Sequence, residues 1–217
     1  MKTKSTNRMP FICGLMLLGL LVVPGCSAVG AIGHKVFGAP KAPADYEPKQ
    51  EAMLVLADAY GSNSDLQPYA DQIAQLVVMK LNQNQVVPLI DQNSLIKFRS
   101  EKGVRYNDLK IPEIGSALNA RQVLYIHLKD LSTSDVASDV VKASIKADVR
   151  IVSVATGQTL WPDIGSTHEL KSPTHLVRKE GAQTAPQARG EMMDQLAEQV
   201  ARLFYSHAPD FQDKGAE

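Results

Sequence analysis

Between Val141 and Ile151 the chain alternates without a break. Val141, Ala143, Ile145, Ala147, Val149 and Ile151 are apolar, and Lys142, Ser144, Lys146, Asp148 and Arg150 between them are polar. A side-chain period of two is the period of a strand, so this segment reads as a β-strand with one face buried and the other in water. As a helix, at 3.6 residues per turn, it would spread the same charges around its whole circumference and leave no apolar stripe to bury. A sheet is therefore required, and its cover has to come from elsewhere in the chain. Ala155-Thr156-Gly157-Gln158 supplies turn chemistry and Thr159-Leu160-Trp161 resumes the ladder, which makes 139–161 an expected β-hairpin with Ile145, Val149 and Trp161 pointing inward.

Helical spacing supplies the cover. After Pro68, the residues Ile73, Leu76, Val77 and Leu81 fall on one face, giving an amphipathic helix over 69–83 that Asn82 and Asn84 end. Met192, Leu196, Val200 and Leu203 do the same for a last helix at about 190–205. Asp91 is placed to cap a short helix reaching about Arg99, and Ile111-Pro112 opens another through Ile114 and Leu118. Apolar runs at 53–57, 86–90 and 123–131 have strand length, and Pro88 confines the second to an edge or a strand end. The order β-α-β-α-α-β-β-β-α predicts an α/β fold: a mixed sheet with an early βαβ unit, a later antiparallel hairpin, and helices packed against the sheet. One domain over 51–207 would contain it, with a frayed tail over 208–217.

The amino-terminal end concerns location. Lys2, Lys4 and Arg8 precede an apolar run over 11–23, the pattern of a secretory leader. Thirteen residues rise only about 20 Å as a helix, short of the roughly 30 Å of a bilayer core. Val23-Pro24-Gly25-Cys26-Ser27 then sets small residues before a cysteine. This resembles the lipobox of bacterial lipoproteins, although Pro24 stands where that family commonly has a small residue. The resemblance implies a signal peptide over 1–25 and a mature chain that starts at Cys26, with acyl chains on its thiol and its amine. Ser27 agrees with an outer-membrane rather than an inner-membrane destination, facing the periplasm. Cys13 would leave with the leader, so neither a free thiol nor a disulfide would remain and the fold would rest on its core alone. Residues 26–50, with Pro40, Pro43 and Pro48, read as a flexible tether reaching about 25–30 Å.

Chemistry is sparse by comparison. His168-Glu169 starts like a zinc-protease H-E-x-x-H, but Ser172 stands at the second histidine position and Pro173 would break the helix that motif needs. His34, His127, His168, His175 and His207 are scattered singly, so no metal cluster is expected. No G-x-x-x-x-G-K-[ST], G-x-G-x-x-G or G-x-S-x-G occurs, and neither a cofactor nor an enzymatic activity is expected. The leader holds three of the 23 basic residues and none of the 23 acidic ones, leaving the rest of the chain mildly acidic, and no basic stripe points to nucleic acid. Asp58 and Asp91 end the first two expected strands, where ligands bind in open α/β sheets; equally, Asp91 reads as a helix cap and Asp58 as a solvated turn residue. The irregular stretches at about 100–110 and 171–188 offer Arg105, Tyr106, Arg178 and Lys179 as aromatic and cationic anchors for a protein partner.

Two segments carry a further resemblance. Ile114-Gly115-Ser116-Ala117-Leu118-Asn119-Ala120-Arg121-Gln122-Val123-Leu124-Tyr125 is similar to the helix, small residue, alanine and strand segment of a group of periplasmic lipoproteins. That group includes relatives of the curli secretion protein, the lipoprotein activators of penicillin-binding proteins, and the TolB amino-terminal domain. Val149-Arg150-Ile151-Val152 through Thr156-Gly157-Gln158-Thr159-Leu160-Trp161 resembles the hairpin those proteins share. The likeness covers about 50–200 and implies a small lipoprotein domain that binds other envelope proteins, such as a cell-wall synthase or a secretion or transport assembly. A structural subunit of a homo-oligomeric envelope complex is the alternative it leaves open. The Lys, Ser, Lys, Asp, Arg outer face of 140–151 would be costly toward lipid, which argues against a pore.

Overall fold

The structure is a computed structural model that describes residues 41–59, 64–137, 140–171, 175–178 and 184–209. Strand β1 (Met53–Asp58) is apolar through Ala57 and buried on both faces, as a parallel strand between two layers should be. Met53, Val55 and Ala57 enter one hydrophobic cluster, and Leu54 and Leu56 enter another on the opposite face. Helices α1 (Gln67–Gln83), α2 (Gln92–Lys102) and α3 (Ile111–Ala117) follow, with a 3₁₀ helix, Gly103–Asp108, between the last two. Strand β2 (Gln122–Ala137) then runs parallel to β1, from Gln122 opposite Met53 to His127 opposite Asp58. β3 (Val140–Ser153) returns antiparallel to β2, and the short strands β4 (Thr159–Trp161), β5 (His168–Lys171) and β6 (His175–Arg178) each pair antiparallel with part of β3. Helix α4 (Thr184–Arg202) closes the order. The result is a mixed α/β sheet with helices packed against it.

The alternation along β3 is realised. Ile145, Ala147, Val149 and Ile151 are fully buried, while Lys146 is exposed. β2 reaches the same core by changing parity. Leu124, Ile126 and Leu128 face inward, a bulge between Leu128 and Asp130 absorbs one residue, and Leu131 then meets Ile145. On this face lie Ile73, Val77 and Leu81 of α1 and Met192, Leu196 and Val200 of α4. Trp161 closes the cluster edge-on to Phe204, with ring centroids 5.6 Å apart. The other face is only partly covered: Leu95 of α2 and Ile114 of α3 meet Leu54, Leu56 and Val123. Gly115 allows the close approach, since a Cβ there would lie 2.6 Å from Val154 Cγ2 and 2.8 Å from Val123 Cγ2.

Several expected elements differ. Residues 86–90 form no strand but a single bridge, Leu89 with Met53, in which Pro88 O accepts from Met53 N and Met53 O from Ile90 N, both at 2.9 Å. Proline lacks the N–H needed to extend that ladder. The parallel partner of β1 is therefore β2, reached across three helices. The hairpin expected over 139–161 contributes only two residue pairs, Ile151 with Trp161 and Val152 with Thr159, whereas β2 and β3 form the long hairpin. The stretch 100–110 is mostly helical, and 171–188 contains β6 and the start of α4. Residues 41–50, placed in the tether by their prolines, lie along the domain. Ala42 and His207 exchange backbone hydrogen bonds of 2.8 and 3.1 Å, Tyr46 N donates to Leu203 O at 3.0 Å, and the Tyr46 ring lies 6.3 Å from Trp161. Prolines forbid a continuous ladder but not one bridge and an aromatic contact. Residues 1–40, with the expected leader and Cys26, and 210–217 lie outside the described residues. Among the described residues no helix is long and apolar enough to cross a membrane.

Candidate functional site

Three rows cross the partly covered face of the sheet. Leu54, Val123 and Val152 form the first, Leu56, Tyr125 and Arg150 the second, and Asp58, His127 and Asp148 the third. The first row is buried under α3, and the third is polar throughout. Between them, at the carboxyl end of β1, the sheet floor and the α2–α3 segment enclose a pocket of about 860 Å³. This is where ligands bind in open α/β sheets, and the volume is that of a small-molecule site. Leu56, Tyr125 and Arg150 belong to its floor, and Arg99, Tyr106 and Ile111 to its helical wall.

The groups in it are fixed unequally. The Asp58 carboxylate accepts from the Tyr125 hydroxyl, 2.9 Å from each oxygen, and lies 2.9 Å from His127 Nδ1. Burial, and next the neighbouring Asp58 charge, push the Tyr125 phenol far above its ordinary range, so it stays a donor. Arg99 Nη1 contacts both oxygens of Asp71, at 2.7 and 2.9 Å, and its guanidinium lies 5.0 Å from the Tyr106 ring centroid. Gln67 braces this wall, its Nε2 donating to Asp71 at 3.0 Å and its Oε1 accepting from Ala59 N at 3.3 Å. Burial pushes the Tyr106 phenol up as well, and neither its hydroxyl nor Arg99 Nε has a hydrogen-bond partner of good geometry.

Arg150 stands apart from the other charges. Its guanidinium carbon lies 5.0 Å from the Tyr125 ring centroid, a cation–π contact, and its Nε is buried without a partner. Among the described residues the guanidinium of this half-buried arginine makes neither a hydrogen bond nor an ion pair. Taking an unpaired charge out of water is costly, and the cost falls when an anion arrives.

The residues singled out in the sequence separate. Tyr106 lines the pocket, and Arg105 beside it on the 3₁₀ helix is exposed. Arg178 ends β6 opposite Val140. That strand pairs with Ala143 and earlier residues of β3, at least seven residues or roughly 23 Å of strand from Arg150. Lys179 and Cys26 lie outside the described residues. Among the described residues, Arg178 of β6 therefore lies away from the pocket that Tyr106 lines. Asp91 caps α2, accepting from Asn93 N at 3.2 Å, and takes no part in the site. Asp58 is not a solvated turn residue but a strand end held by two donors. The alternation sets Arg150 on the wet face beside Lys146 and Asp148 with nothing to single it out; only its register opposite Tyr125 does. Among the described residues no group of three or more His, Cys, Asp or Glu side chains could hold a metal.

No protein-family model matches the sequence, and no curated protein matches it. Solved structures with a similar chain path include bacterial lipoproteins. Lipoprotein GNA1162 from Neisseria meningitidis is 14% identical, with a TM-score of 0.47 over 70% of this chain and 98% of its own. A PelC dodecamer from Paraburkholderia phytofirmans is 10% identical, with a TM-score of 0.41 over 79% and 97%. A protein from Caulobacter crescentus is 11% identical, with a TM-score of 0.35 over 69% and 82%.

Proposed function

We propose that this protein is a lipid-anchored lipoprotein of the cell envelope that works as a binding module for an envelope machine and docks its partner at the β1 pocket. The lipobox-like Val23-Pro24-Gly25-Cys26 supports the anchor. The observation that carries the docking site is Arg150, a half-buried cation without a counter-ion on the floor of a pocket at the carboxyl end of β1. A photoreactive side chain at Asn107, exposed on the pocket wall, should cross-link one envelope protein in living cells, and the same group at Met79 on α1, covering the opposite face, should not. Equal products from both positions would remove the pocket from the interface.

One observation favours a second reading. β1 ends beside His127, and among the described residues no strand pairs with the outer edge of β2 from Leu128 to Ala137. An open edge is a template for another strand, and a subunit of a homo-oligomeric complex would use it. Cross-links from Ser132 to second copies of this chain, with none to another protein from Asn107, would select that reading.

A further inference from the structure

We infer that the β1 pocket receives an organic anion with its charge at one end and an apolar body behind it, the head meeting Arg150 and Lys110. The inference rests on reading this pocket as the docking site, and it names what enters. Four charged side chains line the pocket: Asp58, Arg99, Lys110 and Arg150. Two are answered within the protein, Arg99 by Asp71 and Asp58 by Tyr125 and His127. The two left over are both cations. Among the described residues the Lys110 side chain has no partner, and Arg150 has only the face of Tyr125. That aromatic face positions the guanidinium without neutralising it, and a planar fork of donors suits the paired oxygens of a carboxylate, phosphate or sulfonate.

Size and lining exclude a bare inorganic ion as the intended occupant. The cavity of about 860 Å³ is walled by Leu56, Leu109, Ile111, Pro112, Ile114 and Val152, which offer an inorganic anion nothing but desolvation. An apolar body gains from those walls what the head group loses on leaving water. Asp58 limits the class further. Its charge, held in place by Tyr125 and His127, would repel a second negative group, so a monoanion fits better than a ligand charged at both ends. Because the pocket is read as the docking site, its occupant is a segment of the docked protein, an acidic side chain or carboxyl terminus backed by apolar residues, and an aromatic carboxylate reproduces that chemistry.

Calorimetric titration of the full lipidated chain in dodecylmaltoside, with empty-micelle blanks, tests it using naphthalene-2-carboxylate and its uncharged analogue naphthalene-2-carboxamide. The carboxylate should bind saturably and at least tenfold more tightly than the carboxamide. Arg150→Gln should erase that preference while leaving carboxamide binding within about twofold. Lys110 is exposed, so Lys110→Glu leaves the core untouched; it should cut carboxylate affinity severalfold, and added salt should weaken the parent and not this variant. Equal affinity of the parent for the two probes, or unchanged preference in both variants, would overturn the anionic class while leaving a docking pocket. No saturable binding of either probe, with cross-linking from Asn107 retained, would overturn the inference and leave the proposed function standing.

Discussion

Ile145 lies opposite Leu131 at the point where β2 has just changed parity, and no part of it reaches solvent. Truncation to alanine should cost about 2–5 kcal/mol in denaturant unfolding, because the cavity cannot collapse between a sheet and two helices. A loss within about half a kcal/mol would put that face in water. Residues of this kind are legible in sequence, since alternation alone assigns Ile145, Val149 and Ile151 to the core. Arg150 is not. Its burial depends on Tyr125 lying across from it and on the helical wall above, and a periodicity sees neither. Tyr106 is legible as an aromatic beside an arginine, but its cation–π partner is Arg99 from the preceding helix, not Arg105.

Elements whose signal is local are read correctly, and those whose fate is decided by a neighbour are not. The helix over 69–83 and the cap at Asp91 follow from spacing and side-chain chemistry, and the structure has both. Residues 86–90 have strand composition but only one position from which to pair, and 175–178 is a strand only because β3 is long enough to accept it. The contact between α1 and α4 allows a quantitative test. Lys80 Nζ lies 2.9 Å from Asp194 and 3.1 Å from Glu198. Burial works against the Lys80 charge, but the hydrogen bonds to Asp194 and Glu198 outweigh it and raise its pKa above the ordinary 10.5. Burial likewise opposes the Glu198 charge, and the hydrogen bonds from Lys80 and Arg202 outweigh it and lower its pKa below the ordinary 4.5. The bridge therefore stabilises fully from about pH 4.5 to about pH 10.5. It fades as pH falls through the depressed Glu198 value or rises through the raised Lys80 value. Lys80→Met should cost about 0.5–1 kcal/mol at neutral pH after solvent screening, and the difference from the parent should shrink at both extremes of a stability-versus-pH series.

At the scale of the molecule, the proposed anchor and the pocket can be tested separately. Cys26→Ser should block acylation, so the protein should leave the membrane fraction and partition into the aqueous phase of a detergent separation, whereas the parent stays with the detergent. Two or three acyl chains hold a protein where one barely does. Retention in the membrane of a Cys26→Ser protein whose leader has been removed as in the parent would contradict a lipid anchor. An anchored domain searches a thin layer at raised local concentration, which suits a binding module whose pocket supplies specificity. The most direct measurement is the native mass of the lipidated protein extracted from cross-linked envelopes, taken for the parent and for Thr159→Trp, which should fill the pocket from the first residue of β4. The account predicts a parent complex containing one different protein, and its loss from Thr159→Trp with anchoring and thermal stability kept. A parent mass made only of multiples of this chain, or the same foreign protein retained by Thr159→Trp, would contradict it.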